Sequence, residues 1–183
     1  MSSWGASTSD ESKPKYLTDA EKRDCFADNT GWTFPAGGNG NPNAQRETLV
    51  AIGDLSGATK LAAGTISAVR FISTALGAAA GGSFSAEVVY NEAVDVVTTG
   101  GTPQMTITNT PGSDVVLDYA SGTGTNRLTF TATVAGGATA ENDVLSIGAN
   151  SIALNSGTIK DAGTAVDSEI THGAQTATIT VGA

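Results

Sequence analysis

The residues of this chain that could do acid–base chemistry are three pairs of carboxylates close in sequence: Glu92/Asp95, Asp114/Asp118 and Glu141/Asp143. A catalytic pair needs one carboxyl kept neutral by its surroundings while the other stays ionised. Each of these pairs falls in a turn or on an alternating strand, where a solvated surface carboxylate is the expected role. Nucleophilic chemistry has one cysteine, Cys25, and one histidine, His172, far apart in sequence. Cys25 is expected to be a small buried hydrophobe on a short helix. Ala120-Ser121-Gly122 reads as a hairpin turn, not the strand-to-helix elbow of Gly-x-Ser-x-Gly. Gly122-Thr123-Gly124 lacks the lysine and following helix of a phosphate loop. No His/Cys cluster has the spacing of zinc ligands. The expectation is a protein that is not an enzyme and carries no cofactor.

Other residues have chemistry suited to docking. Trp4, Tyr16, Phe26, Trp32 and Phe34 are five of the ten aromatics, all within the first fifth of the chain. Lys13, Lys15, Lys22 and Arg23 lie among them. Disordered linkers are poor in aromatics, whereas aromatic and basic side chains are common anchors in a partner's pockets. Residues 1–46 hold little aliphatic material of their own. They are therefore expected to form an extended docking arm on a neighbouring chain, the alternative being an arm folded back over its own sandwich.

The elements that must carry these residues are mostly strands. Within the arm, Thr18-Asp19-Ala20-Glu21 fits a capping box, with a helix of about two turns following to around Ala27. Phe34 to Asn43 is a breaker-rich loop. Thr48–Ile52 reads as a strand, and Thr65–Thr74 alternates with neither face cleanly apolar, so both faces are expected to be covered. Leu76–Gly82 reads as a small-residue linker. Leu128, Phe130, Ala132 and Val134 alternate with Thr129, Thr131 and Thr133, the period of a half-buried strand. Short strands with turn residues between them continue to Thr171, and Thr176–Val181 is a further strand.

From Tyr90-Asn91-Glu92-Ala93-Val94 through Gly101-Thr102-Pro103, Tyr119–Asn126 and Leu128-Thr129-Phe130 to Gly157–Asp161, the motif string resembles a bacterial Ig-like domain. Such domains occur in bacterial surface proteins and in tailed-phage virion proteins. The N-terminal string (Ser3–Ser7, Ser12–Thr18, Glu21-Lys22, Gly31-Trp32, Glu47–Gly53) resembles structural proteins of T4-like marine phages, especially cyanophages. Family members carry an Asp-rich turn after the strand matching Leu128–Val134. Here Ala140-Glu141-Asn142-Asp143-Val144 stands there with fewer carboxylates, and whether Glu92, Glu141, Asp143 or Asp161 hold calcium is left open.

Charge bounds the partners. The net charge is −9, with four bases against eleven acids in residues 48–183. An acidic sandwich is a poor partner for nucleic acid, which is held by Lys and Arg. No apolar run approaches a membrane span of about 20 residues, and no secretory signal is visible at the start. That favours assembly in the cytoplasm over export as an adhesin.

The expected architecture is all-β: an Ig-like antiparallel sandwich over residues 83–173, preceded by an N-terminal arm with one short helix and a few extra strands. Residues 47–82 form a small β segment and linker, pairing with 174–183. The resemblance implies a virion protein, foremost a head decoration or cement protein on the outer capsid surface. Its partner would be the major capsid protein, with neighbouring copies of itself as a further contact and neither nucleic acid nor membrane involved. A neck or tail component would use the same parts. The alternative is a glycan- or cell-surface-binding module, although Phe84, Tyr90, Tyr119 and Phe130 are the only aromatics in the sandwich and most fall on expected core faces.

Overall fold

The computed structural model describes residues 11–38 and 41–183. The chain is all-β, 43% strand against about 4% helix, and sandwich-like. One short helix, α1 (Asp19–Asp24), opens it. The expected capping box forms: the Thr18 amide donates to Glu21 Oε2 at 2.8 Å, and the Glu21 amide donates back to Thr18 Oγ1 at 3.3 Å. The helix stops sooner than expected because Cys25 turns to extended backbone and starts a strand rather than a third turn.

Strands β1 (Phe26–Asp28) and β2 (Gly31–Phe34) form a hairpin, and β3 (Glu47–Ala51) pairs with β2. Gly31, at φ 141°, is required here: a Cβ would stand 1.9 Å from the Val50 carbonyl oxygen. Asp28 ties the turn together, accepting from the Thr30 amide at 2.7 Å, from the Thr33 hydroxyl at 2.8 Å and from Arg46. Partial burial pushes this carboxyl up, but the bonds from Thr30, Thr33 and Arg46 outweigh it and hold it near 2.

The sandwich is built around β5 (Gly82–Val97), sixteen residues long. On one side β8 (Thr125–Val134) pairs with it from Gly82↔Val134 to Val89↔Arg127; on the other, β4 (Ile66–Phe71) pairs from Phe71↔Ala86 to Ile66↔Tyr90. Its far end pairs with β11 (Thr158–Asp161). Strands β6 (Gln104–Thr110) and β7 (Val115–Ser121) extend the sheet beyond β8. The first half of β6 also takes β10 (Ile152–Ala153), and its last residues take β9 (Val144–Ser146), which in turn pairs with β12 (Thr178–Thr180). Phe84, Tyr90, Met105, Ile107, Leu117, Leu128, Phe130, Leu145 and Ile159 close one core between these strands. The expected alternation in β8 holds, with Leu128 and Phe130 buried and Thr133 exposed.

Two expectations about organisation are corrected. Residues 174–183 do meet 47–82, but only at its end, while the tail strand itself pairs with β9, because Ile179 and Val181 face the sandwich core. Its contact with the preceding segment is a bridge at Gly77↔Gly182. Nor does Leu76–Gly82 separate two modules: Leu76 lies in the main core, and β4 and β5 form a hairpin across it. Substituting Phe130 by Ala should cost about 3–5 kcal/mol of stability, read as a lower urea midpoint with an unchanged slope; a loss below 1 kcal/mol would contradict this packing.

Candidate functional site

Residues 17–61 make a core of their own. Cys25, Ala27, Trp32, Ile52 and Leu55 are buried together, with Leu17, Phe34, Leu49, Val50 and Leu61 packed around them. This corrects the picture of an arm without an interior. The aliphatic residues it needs come from residues 49–61, beyond the segment assigned to it, and β3 folds them back over the hairpin.

The expected docking residues therefore separate. Trp32 is 2% exposed, and its indole N–H donates to the Glu11 carbonyl at 3.1 Å. Lys13 stands over that ring at 5.2 Å and donates to the Lys22 carbonyl and to Ser67 Oγ. Burial lowers the Lys13 pKa, against the opposing pull of Cys25 and Asp24. Phe26 is half-buried beneath the Arg46 guanidinium, and Phe34 packs on the second core. Lys22 pairs with Asp19 at 3.7 Å on the surface. Tyr16 (67% exposed), Lys15 and Arg23 face solvent, and Trp4 lies outside the described residues. The structure thus keeps Trp32 and Lys13 internal and leaves Lys15, Tyr16 and Arg23 outward.

The N-terminal unit is fastened to the sandwich in two places, and sequence reasoning missed both. At the first, Asp24, at the end of α1, accepts from Arg70 of β4 at 2.9 Å and from Arg127 of β8 at 2.7 Å. Glu87 of β5 accepts from the same two guanidiniums at 2.5 and 3.2 Å. Burial alone would lower the Arg70 pKa, but the two carboxylates raise it. Alternation placed Arg70, Glu87 and Arg127 on neighbouring strands only once register was known.

The second place is where β1 meets β5 in a single parallel pairing, Ala27↔Glu92. Glu92 is fully buried, and among the described residues no amide, hydroxyl or cationic group donates to either of its carboxylate oxygens. Asp161 of β11, 2% exposed, stands opposite Val94, on the face of β5 that also carries Glu92, and accepts through Oδ1 from the Gly163 and Thr164 amides at 2.9 and 2.6 Å. Burial first, then the Asp161 charge and a hydrogen bond to it, push Glu92 up to about 8. The expectation that Glu92 is a solvated surface carboxylate is therefore overturned, while Asp95 is exposed. Asp143 is also buried rather than solvated, with Oδ2 accepting from Asn109 Nδ2 at 2.9 Å and the Ala140 amide at 3.0 Å. That β11 sets a second acid opposite Val94, next to position 92 on the same face, could not be read without the β5–β11 register.

A third feature is an open polar groove of about 570 Å³ beside β4, lined by Arg23, Ile66, Arg70, Glu169, His172 and Gln175 among others. His172 Nε2 lies 3.0 Å from Ser151 Oγ, the spacing of a nucleophile and its base. The same nitrogen also accepts the Ser151 amide at 3.1 Å, and His172 Nδ1 faces the Gly173 carbonyl at 2.8 Å. This is the bonding of a clip between two loops. Cys25 lies in the second core, its thiol pushed up to about 11 by burial, which Lys13 and the Thr33 amide only partly offset. Among the described residues no group of three or more His, Cys, Asp or Glu is placed to hold a metal ion.

Two outcomes test this arrangement. Asp24→Asn should speed amide exchange across α1 and β1 by on the order of tenfold, the equivalent of one charge-assisted hydrogen bond discounted for partial exposure; unchanged exchange would mean the four-charge cluster holds nothing. Cys25 should resist an aromatic disulfide reagent at pH 8 until the protein is unfolded, and prompt reaction of the native protein would contradict its burial. As for known proteins, no family model matches the chain, and neither a curated protein nor a solved structure matches it.

Proposed function

We propose that this chain is a structural component of a tailed-phage virion: a head decoration protein that sits on the major capsid protein and displays an Ig-like sandwich outward. The observation that carries the reading is the fastening of the N-terminal unit to the sandwich, through the Ala27↔Glu92 pairing and the cluster of Asp24, Arg70, Glu87 and Arg127. A protein that cements a shell must pass load from its footing to its displayed part. Opposite charges bridging three strands and a helix, together with a continuous sheet, suit that work.

The footing is a folded base rather than a strap. Tyr16, Lys15 and Arg23 are its outward contacts, with Tyr16 as the aromatic anchor and the two bases directed at shell carboxylates. The excess of acids in residues 48–183 keeps displayed copies apart, and many copies on one lattice add avidity. The role is mechanical and involves no catalysis.

The groove beside β4 favours a second reading, binding of a polar glycan at a host surface. Its polar lining supports hydrogen bonding to a sugar, but none of the lining residues is an aromatic platform.

Cosedimentation of the full chain with purified capsids decides between them. Under the decoration reading the protein pellets with shells, and Tyr16→Ser with Lys15→Glu weakens binding at least about tenfold, the worth of one aromatic anchor, without changing the urea midpoint. No binding to shells, with specific retention on a glycan array, would replace the first reading by the second.

A further inference from the structure

We propose that Glu92 and Asp161 hold a single proton between them, and that this shared proton latches the N-terminal unit to the sandwich. Two carboxylates in contact are both acceptors, and no bond can form between them unless one is protonated. Glu92 is the member that carries the proton. Asp161 Oδ1 already accepts from two backbone amides, whereas no amide reaches Glu92, which leaves Glu92 free to be the donor between them.

Among the described residues, the cations on the elements packed against the pair are engaged elsewhere. On β11 and the loop after it, Lys160 is taken by Asp167 at 3.2 Å, and Glu169 receives the Ile66 amide and, on its carbonyl, the Tyr90 hydroxyl. On β5, Asp95 faces out toward Thr123. Beside β1, Arg46 is taken by Asp28, and Lys13 lies against Trp32. Across β4 and β8, Arg70 and Arg127 are held by Asp24 and Glu87. A calcium ion wants six to eight oxygens; two carboxylates with no exposed surface at Glu92 supply too few.

The location makes this a latch. Glu92 sits opposite Ala27, the residue by which β1 joins β5. The loop that cradles Asp161 reaches the N-terminal unit, since Thr164 Oγ1 donates to the Ala62 carbonyl at 2.7 Å. Removing the proton puts two negative charges at the joint between the two cores, and the joint opens.

The sign follows from linkage. Glu92 is raised in the folded chain, from 4.5 to about 8, so between those values the folded state keeps a proton that the unfolded state has released. Stability is greatest below the lower value, falls as pH rises through the window and levels off above it.

The test is urea unfolding of the full chain from pH 5 to 8.5, comparing wild type with Glu92→Gln, whose amide donates to Asp161 without titrating. Contributions common to both proteins cancel in the difference. The wild-type unfolding constant should rise relative to the variant by about tenfold per pH unit across the window, and β1 amide exchange should accelerate with it. Asp161→Asn, which removes the like charge, should move the fall to lower pH. Matching profiles for wild type and Glu92→Gln would overturn the shared proton. Differing profiles with β1 exchange unchanged would overturn the latch. Stabilisation by added calcium, reversed by chelation in wild type but absent in Glu92→Gln, would put a cation where we place the proton.

Discussion

Strand β5 is the constraint from which the rest of the structure follows. A buried strand must find a partner for every backbone donor and acceptor along its length, and this one is sixteen residues long. β8 serves one edge until the register breaks between Val89 and Val94. β4 serves the other edge up to Tyr90, and β11 takes over from Val94. Position 92 is left between them, and β1 fills it in parallel. Neighbouring groups are met irregularly: the Asn91 amide and side chain engage Thr65, and Asn126 reaches the Tyr90 carbonyl. The N-terminal unit is thus a structural neighbour that the sandwich itself leaves room for.

That joint is held by two different electrostatic arrangements. On the half-exposed side, two acids and two arginines alternate around Asp24 and Glu87, and attraction between opposite charges does the holding. On the buried side, two acids face each other, and only a proton reconciles them with an apolar surrounding. The first arrangement is screened by salt; the second is governed by pH. Two cores of unequal size, meeting across one strand, are therefore coupled through charges that solution conditions address separately.

This changes what the aromatic-rich beginning means for function. Trp32 and its neighbours stabilise a folded unit, and Tyr16 is its one large exposed aromatic among the described residues. The described part of the beginning is a folded unit with its own buried cluster rather than an extended strap.

Much was legible from residues alone. Period two in Leu128–Val134 foretold β8 and its inward face, Thr18 and Glu21 foretold the start of α1, and the turn residues foretold an all-β chain. Those are local properties, set by which way consecutive side chains leave the backbone and which groups cap its ends. What sequence could not reach was long-range. That Leu55 and Leu61 would bury Trp32, that the tail would pair with β9, and that Asp161 would arrive beside Glu92 all depend on register between segments far apart in the chain. Register is decided by the packing of whole faces, so the meaning of Glu92, surface carboxylate or buried proton carrier, was decided only by the tertiary structure.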